Sequence, residues 1–495
     1  MKTFFITCAF LITGMMGTSV HAAATYDELE IAKLRNFLMQ ESAVAGVKNY
    51  QQLGLTSMDS IDWWSVYGLT WNRNTYYLEY ITWVNINISG HLDLSDFAGL
   101  EYVYCPFNDL KSVDLSNSSA LLRADFFEND IDEIDVSTNP RLEYLRMGYN
   151  NLRSIDVSKN PNLGFLCCTK NQVQALDLSN MSKLNEVTCL GNRLYTLSLE
   201  NCPELEKFMC DQNFLTTLNL YNLPKLKSFS CMFNLLTDIN FYNCGSLTDF
   251  SCYENSLSYL DFSHCENLKT LNCGKNQLTA INLEGCQRLT SLNCDYNSLS
   301  SLDISQMPLL TSLSCKYNKF TFMTLPFPSA QFTDYAYTPQ NEVEFSFDYN
   351  NIDLSDFYNV NGTASTFIWR NTATLVTPLE SNEGWFAFDA SFIGETFICW
   401  VQNKTFPYLT MHFDVTLTQG DVGNVNPEKE RPSVYASEHM LHLVTDLPVK
   451  VNVYSLQGAL LMKRSVDAGH TGIPVARGMY VVVVDDRKLY KVIVR

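Results

Sequence analysis

From about residue 100 to 325 the apolar and polar positions repeat with a fixed period. Asparagine returns every 21 residues, from Asn108, Asn129 and Asn150 without a slip to Asn318. One unit reads Leu184-x-x-Val187-x-Cys189-x-x-Asn192-x-Leu194-x-x-Leu197-x-Leu199. The alternation Val187-x-Cys189 puts both side chains on one face of a short strand, and Asn192 follows where the chain must turn. A buried Asn there can bond backbone groups of its own coil and the next, which predicts a stacked ladder. A fixed period of this length marks a solenoid, each unit burying its apolar face only against its neighbours. Counting back, Asn87 fits the frame as a degenerate first unit.

Each unit is internally doubled. Leu176-Asp177-Leu178 and Leu260-Asp261-Phe262 repeat the strand pattern half a unit later, and Asn139, Asn160, Met181, Cys202 and Cys244 echo the first Asn position. Parallel ladders on both sides are expected. The unit is too short for two strands, their turns and a full helix.

The flanks do not follow the frame. Residues 25–90 read as an N-terminal cap, with a helix over Tyr26–Glu41 whose apolar face is Leu29, Ile31, Leu34, Phe37 and Leu38 and whose start is marked by Asp27. The register ends after Leu325. Residues 326–420 show short β runs (Glu342–Phe347, Ser365–Arg370, Trp385–Ala390, Phe397–Val401, His412–Leu417) that suggest an immunoglobulin-like β-sandwich closing the other end. A polar linker, 421–432, leads to a small β domain, 433–495.

Together the repeats, 91–325, carry the frame L-x-x-L-x-(L/C)-x-x-N-x-L and resemble the nested 21-residue (IRREKO-like) class of bacterial leucine-rich repeats. The resemblance implies a mainly β leucine-rich-repeat solenoid with parallel strands, and a binding or scaffold role rather than an enzyme. At the other extreme, Val451-x-Val453-Tyr454-x-x-x-Gly458, Gly478-x-Tyr480-x-Val482 and Lys491-Val492-x-Val494-Arg495 are similar to the C-terminal sorting domain of type IX secretion in Bacteroidetes-like bacteria. That similarity implies recognition by an outer-membrane translocon and a cell-surface destination.

Residues 1–22 read as a secretory signal peptide, and no later apolar run is long enough to be a transmembrane segment. Fifteen of the 16 cysteines follow the signal. Cys105, Cys168, Cys189, Cys210, Cys231, Cys252, Cys273, Cys294 and Cys315 share one inward position, interchangeable with Phe126 and Met147, which points to packing thiols rather than disulfides. No C-x-x-C pair or His cluster suggests a metal, and no cofactor is expected. A net charge of −19 argues against nucleic acid.

Neither G-x-S-x-G, H-E-x-x-H nor a Walker loop is present, so no catalytic residue is singled out and a hydrolase is a distant third reading. The recurrent Asp93, Asp114, Asp135, Asp156 and Asp177 point outward, a row interrupted by Ser198, Asn219 and Asn240. Binding is read from the outward positions of the first strand. Toward the N-terminus these carry Tyr102, Tyr104, Phe127, Tyr144 and Phe165, with Phe107 and Tyr149 at the strand exit; toward the C-terminus they are Ser, Thr and Asn. Outward aromatics serve recognition unless the N-terminal cap folds over them. The expected ligand is a protein partner, with a glycan stacking on the same patch as the alternative.

Overall fold

The computed structural model describes residues 26–59, 61–341, 351–371, 374–392, 394–416, 433–437, 440–445, 449–455, 460–467, 469–475, 478–484 and 488–494. The signal segment 1–22, the linker 421–432 and the strand expected over Glu342–Phe347 lie outside the described residues. The chain divides into two compact units, Met1–Leu417 and Thr418–Arg495.

A fourteen-stranded sheet organises the first unit. It begins with the antiparallel pair Leu69–Trp71 and Leu78–Thr82, then continues in parallel to Asp334–Ala336. From Tyr102–Tyr104 to Ser312–Ser314 the central residue of each three-residue strand of this sheet, such as Val103, Leu145 or Leu292, is buried. The nine repeat-position cysteines are buried and free. Burial disfavours their thiolates, pushing Cys273 up to about 12.

The asparagine ladder holds the coils in register. Asn213 Nδ2 donates to Cys210 O in its own coil and to Cys189 O one coil back, both at 3.0 Å, while its Oδ1 accepts from Leu194 N at 3.0 Å. The same three bonds recur along the run, as at Asn129, Asn171, Asn255 and Asn318. Nine of these side chains are buried; Asn255 and Asn276 are half-buried. Asn87 does not join: it is exposed, with a left-handed φ of 58°. The ladder instead gains a rung past Leu325, where the repeat frame had ended. Gln340 Nε2 donates to Cys315 O at 2.9 Å, and Gln340 Oε1 accepts from Asn318 N and Phe320 N.

The second turn is built differently. Asn139 and Asn160 donate to carbonyls one coil back, Leu115 O and Val136 O, both at 2.9 Å. In later coils the thiols of Cys202 and Cys244 reach the corresponding carbonyls, Leu178 O and Leu220 O, at 3.0 and 3.1 Å. The second side is not the continuous ladder expected. Its strands form isolated parallel pairs, such as Ala175–Asp177 with Thr196–Ser198 and Thr217–Asn219 with Asp238–Asn240. The Asp or Asn ending many of these segments turns back on its own chain, as Asp177 Oδ1 accepts from Ser179 N at 2.9 Å, which cuts the strand short.

Helix Glu28–Leu38 is capped by Asp27, whose Oδ1 accepts from Leu29 N and Glu30 N. Its buried stripe is Glu30, Leu34, Phe37 and Leu38, whereas Leu29, expected inward, is exposed. At 100° per residue Leu29 lies off the line through 30, 34, 37 and 38. Burial raises the Glu30 carboxyl to about 7, against the bond it accepts from Leu78 N at 2.9 Å. Phe37 stacks on Trp83 at 5.6 Å, and Lys33 pairs with Asp93 at 3.4 Å, so the helix packs on the end of the first coils.

After the last coil, a four-stranded antiparallel sheet (order Thr374–Val376, Thr366–Asn371, Thr396–Gln402, Thr410–Thr416) faces a three-stranded one (Asn351–Asp353, Trp385–Ala387, Glu380–Asn382). Their rings meet at Trp369 and Phe386, 5.0 Å apart. Phe406 packs against Phe322 and Phe327 of the solenoid end at 6.3 and 6.0 Å. The second unit has two antiparallel sheets of three and four strands, with its own core including Leu441, Val451, Val453, Ile473 and Val482.

Candidate binding surface

Parallel pairing without slip aligns the outward positions into rows. The first row runs Tyr80, Tyr102, Arg123, Tyr144, Phe165. Tyr80 stacks on Tyr102 at 4.8 Å, and Tyr144 on Phe165 at 4.4 Å with planes 7° apart. Arg123 bridges the gap, its guanidinium 5.8 Å from the Tyr102 ring and 5.9 Å from the Tyr144 ring. Because stacked rings occupy each other's faces, the row presents ring edges rather than open faces. Burial pushes the Tyr144 hydroxyl up to about 12.

Phe127 is not in a strand, contrary to the sequence reading. The strand of its coil is Arg123–Asp125, so its outward positions are Arg123 and Asp125 and Phe127 stands at the exit. Tandem Phe126-Phe127 carries the alternation two residues past the strand end. There Phe127 joins Phe107 and Tyr149, at 5.6 and 5.1 Å, in edge-on contacts. Arg146 lies 3.8 Å over the Phe127 ring and pairs with the buried Asp125 at 3.1 Å. Gly148 makes room: a Cβ there would come within 2.9 Å of the Phe127 ring.

Six of the seven predicted residues thus fall into two neighbouring clusters on one face, and Tyr104 stands in the second outward row, in line with Asp125 and Arg146. Tyr102, Tyr144 and Phe165 are half-buried in the row and Phe127 half-buried at the exit. Tyr104, Phe107 and Tyr149 are exposed by 41, 39 and 47%. The cap helix, docked on the coil end, leaves these three open to solvent. Sequence reasoning missed Arg123 and Arg146. For Arg123 the signal was a cation in the outward frame one unit from an aromatic on either side, Tyr102 and Tyr144. Arg146 has Asp125 and Cys167 at those positions, and the frame carried no such signal for it.

Farther along, the same rows change character. Ser228, Asp249, Thr270 and Ser291 succeed one another at the first outward position, and they line a trough of about 440 Å³. The outward Asp row forms no metal cluster among the described residues. Asp135, Asp156 and Asp303 each accept from the amide two residues on.

No protein-family model matches the chain, and no curated protein matches it. Among solved structures it is similar to the functional domain of InlJ from Listeria monocytogenes, described as including a cysteine ladder. That pair shares 20% identity over 66% of this chain and 83% of the other, with a TM-score of 0.48. It is also similar to YopM, a leucine-rich effector protein from Yersinia pestis, at 24% identity over 50% of this chain and 73% of that one, with a TM-score of 0.40.

Proposed function

We propose that this is a secreted or cell-surface leucine-rich-repeat protein that binds a protein partner, without catalysis, through the N-terminal half of its sheet face. The observation that carries the reading is the solvent exposure of Tyr104, Phe107 and Tyr149 on a hydrogen-bonded sheet, beside Arg123 and Arg146. Aromatic and Arg side chains held rigidly at a surface are the usual anchors of protein interfaces. Mutual stacking at 4.4 Å leaves ring edges outward. That favours interdigitation with protein side chains over a sugar lying flat on an open ring.

In this reading 25–90 and 326–420 close the two ends of the solenoid, which would otherwise expose apolar coils and strand edges. Residues 1–22 direct export, and 433–495 engage a type IX translocon. No helix of the described residues is long and apolar enough to cross a membrane. Affinity capture from the native host, comparing wild type with a Tyr104→Ser/Tyr149→Ser variant of unchanged melting temperature, tests the surface. A partner should be lost about tenfold or more in the variant; equal capture would place binding elsewhere. Deleting 433–495 in a host with a type IX system should strand a folded repeat domain in the periplasm. Normal surface delivery of the truncated protein would remove the sorting role.

A further inference from the structure

The C-terminal half of the face carries a second, chemically different surface. Four adjacent strands floor the trough of about 440 Å³ with short polar side chains: Ser228, Asp249, Thr270 and Ser291 in one row, Asn272 and Asn293 in the other. Their bonding is lopsided. Asn272 Oδ1 accepts from Gly274 N at 3.4 Å and Asn293 Oδ1 from Asp295 N at 3.0 Å. Both carbonyl oxygens are thus held by the chain's own turns, while the two Nδ2 groups have no partner among the described residues. Ser251 Oγ, closed off from solvent at the same trough, also has none. Asp249 is fixed by hydroxyls from Thr248 and Thr270, both at 2.6 Å, and is the only ionisable side chain lining the floor.

An aromatic ring stands beside this floor. Tyr253 lies over Gly274, where an added Cβ would come within 3.2 Å of the Tyr253 ring and 3.4 Å of Asn293 Oδ1. Ring and amide therefore share the space that the missing side chain opens. Lys275 lies 5.3 Å from the ring and is neutralised by Glu254 at 3.2 Å.

We propose that this trough binds a neutral, linear glycan running across the strands. Free amide donors, hydroxyls and a fixed carboxylate beside an aromatic ring are the groups that pair with sugar hydroxyls and pack on their C–H faces. The absence of a cation from the floor, with Asp249 present, disfavours phosphates and acidic sugars. Without a deep apolar pocket or an outward aliphatic anchor, the floor lacks what a protein hot spot needs. The strands recur about every 4.8 Å, close to the advance per ring of an extended pyranose chain, so successive sugars meet successive coils.

The test is calorimetric titration of the exported chain with cello- and laminari-oligosaccharides, from mono- to hexasaccharide. Affinity should rise with length in at least one series and level off once the oligomer spans the floor, near the tetra- or pentasaccharide. Asn272→Ala/Asn293→Ala should weaken the best oligomer by about tenfold or more, through two lost donors, with the chain still folded at the titration temperature despite the two turn bonds lost with the carbonyl oxygens. Tyr104→Ser/Tyr149→Ser should leave the titration unaltered, which separates this site from the protein-binding surface. Absence of binding in both series, affinity independent of length, or full binding by the Asn272/Asn293 variant would overturn the proposal. So would loss of a protein partner, rather than of glycan, in that variant.

Discussion

The two halves of the sheet face share one backbone and one buried interior, yet present opposite chemistry to solvent. Around Tyr102 to Phe165 the outward groups are large and satisfied by each other, ring on ring and guanidinium between rings. Around Ser228 to Asn293 they are short, and several donors remain unused. Even the accommodation of an exit ring is the same device reused, Phe127 over Gly148 and Tyr253 over Gly274. Inward positions are shared between neighbouring coils, so a change there propagates. Outward positions touch one another at the surface, along a row as at Tyr144 and Phe165 or between rows as at Arg146 and Phe127, without entering the shared interior, so surface chemistry can be exchanged while the scaffold stays constant.

The largest expected effect comes from breaking what the halves share. Asn213 sits between them, and Asn213→Leu removes the acceptor of Leu194 N and the donor to Cys189 O and Cys210 O. Buried backbone groups left unpaired should cost about 1–3 kcal/mol in urea unfolding. Hydrogen exchange should show loosening on both sides of residue 213. A neutral variant would mean that water replaces the rung and that the halves are held together by apolar packing alone.

A smaller effect should separate the halves. Tyr144→Ala removes the ring stacked on Phe165 and one of the two flanking Arg123, and should cost roughly 0.5–1.5 kcal/mol beyond its lost buried area. Ser291→Ala, at the same outward position, should stay within about 0.5 kcal/mol of wild type. Equal destabilisation by the two, measured by urea unfolding, would erase the distinction between a self-satisfied half and an open one.

Much of the scaffold was legible because each ladder Asn makes the same bonds whatever its neighbours are, so the backbone's needs appear directly as an invariant letter. The inward cysteines were legible for the same reason: one position, one packing role. Gln340 escaped because its rung comes after 22 residues rather than 21 and uses a longer amide. Leu29 was misread as inward, and Glu30 was passed over, because hydrophobicity outweighed helical phase; the buried acid serves Leu78 N, a partner 48 residues away. Of the candidate site, the aromatics were visible as residues. The role of Arg123 was not, since it exists only once Tyr102 and Tyr144 are brought to either side of it. The free donors of Asn272 and Asn293 depend on which amide atom the local turn consumes, and periodicity carries no record of that.

The smallest effect concerns acid, and it too should divide the halves. Asp135, Asp156 and Asp177 end second-side segments in the earlier coils, each accepting from the amide two residues on, at 2.8 to 2.9 Å. Bonds from the hydroxyl and amide of Ser137, Ser158 and Ser179 hold these carboxyls below their ordinary range. In later coils Asn219, Asn240 and Asn282 fill three of these places, as Asn240 Oδ1 accepts from Tyr242 N at 2.9 Å, with no proton to gain, and only Asp261 and Asp303 keep the carboxyl among the described residues. A carboxyl with a depressed folded pKa stabilises the fold above its unfolded value, near 4, and loses that contribution as pH falls through the folded value. Acidification should therefore loosen the earlier coils first, by roughly a few tenths of a kcal/mol per turn after solvent screening. Asp135→Asn/Asp156→Asn/Asp177→Asn keeps the acceptor and removes the titration, so the acid limb of stability should flatten while the turns persist. Amide exchange between pH 5 and 2.5 measures both. Simultaneous loss of protection in the two halves, or an unaltered acid limb in the triple variant, would show that these turns do not set the difference.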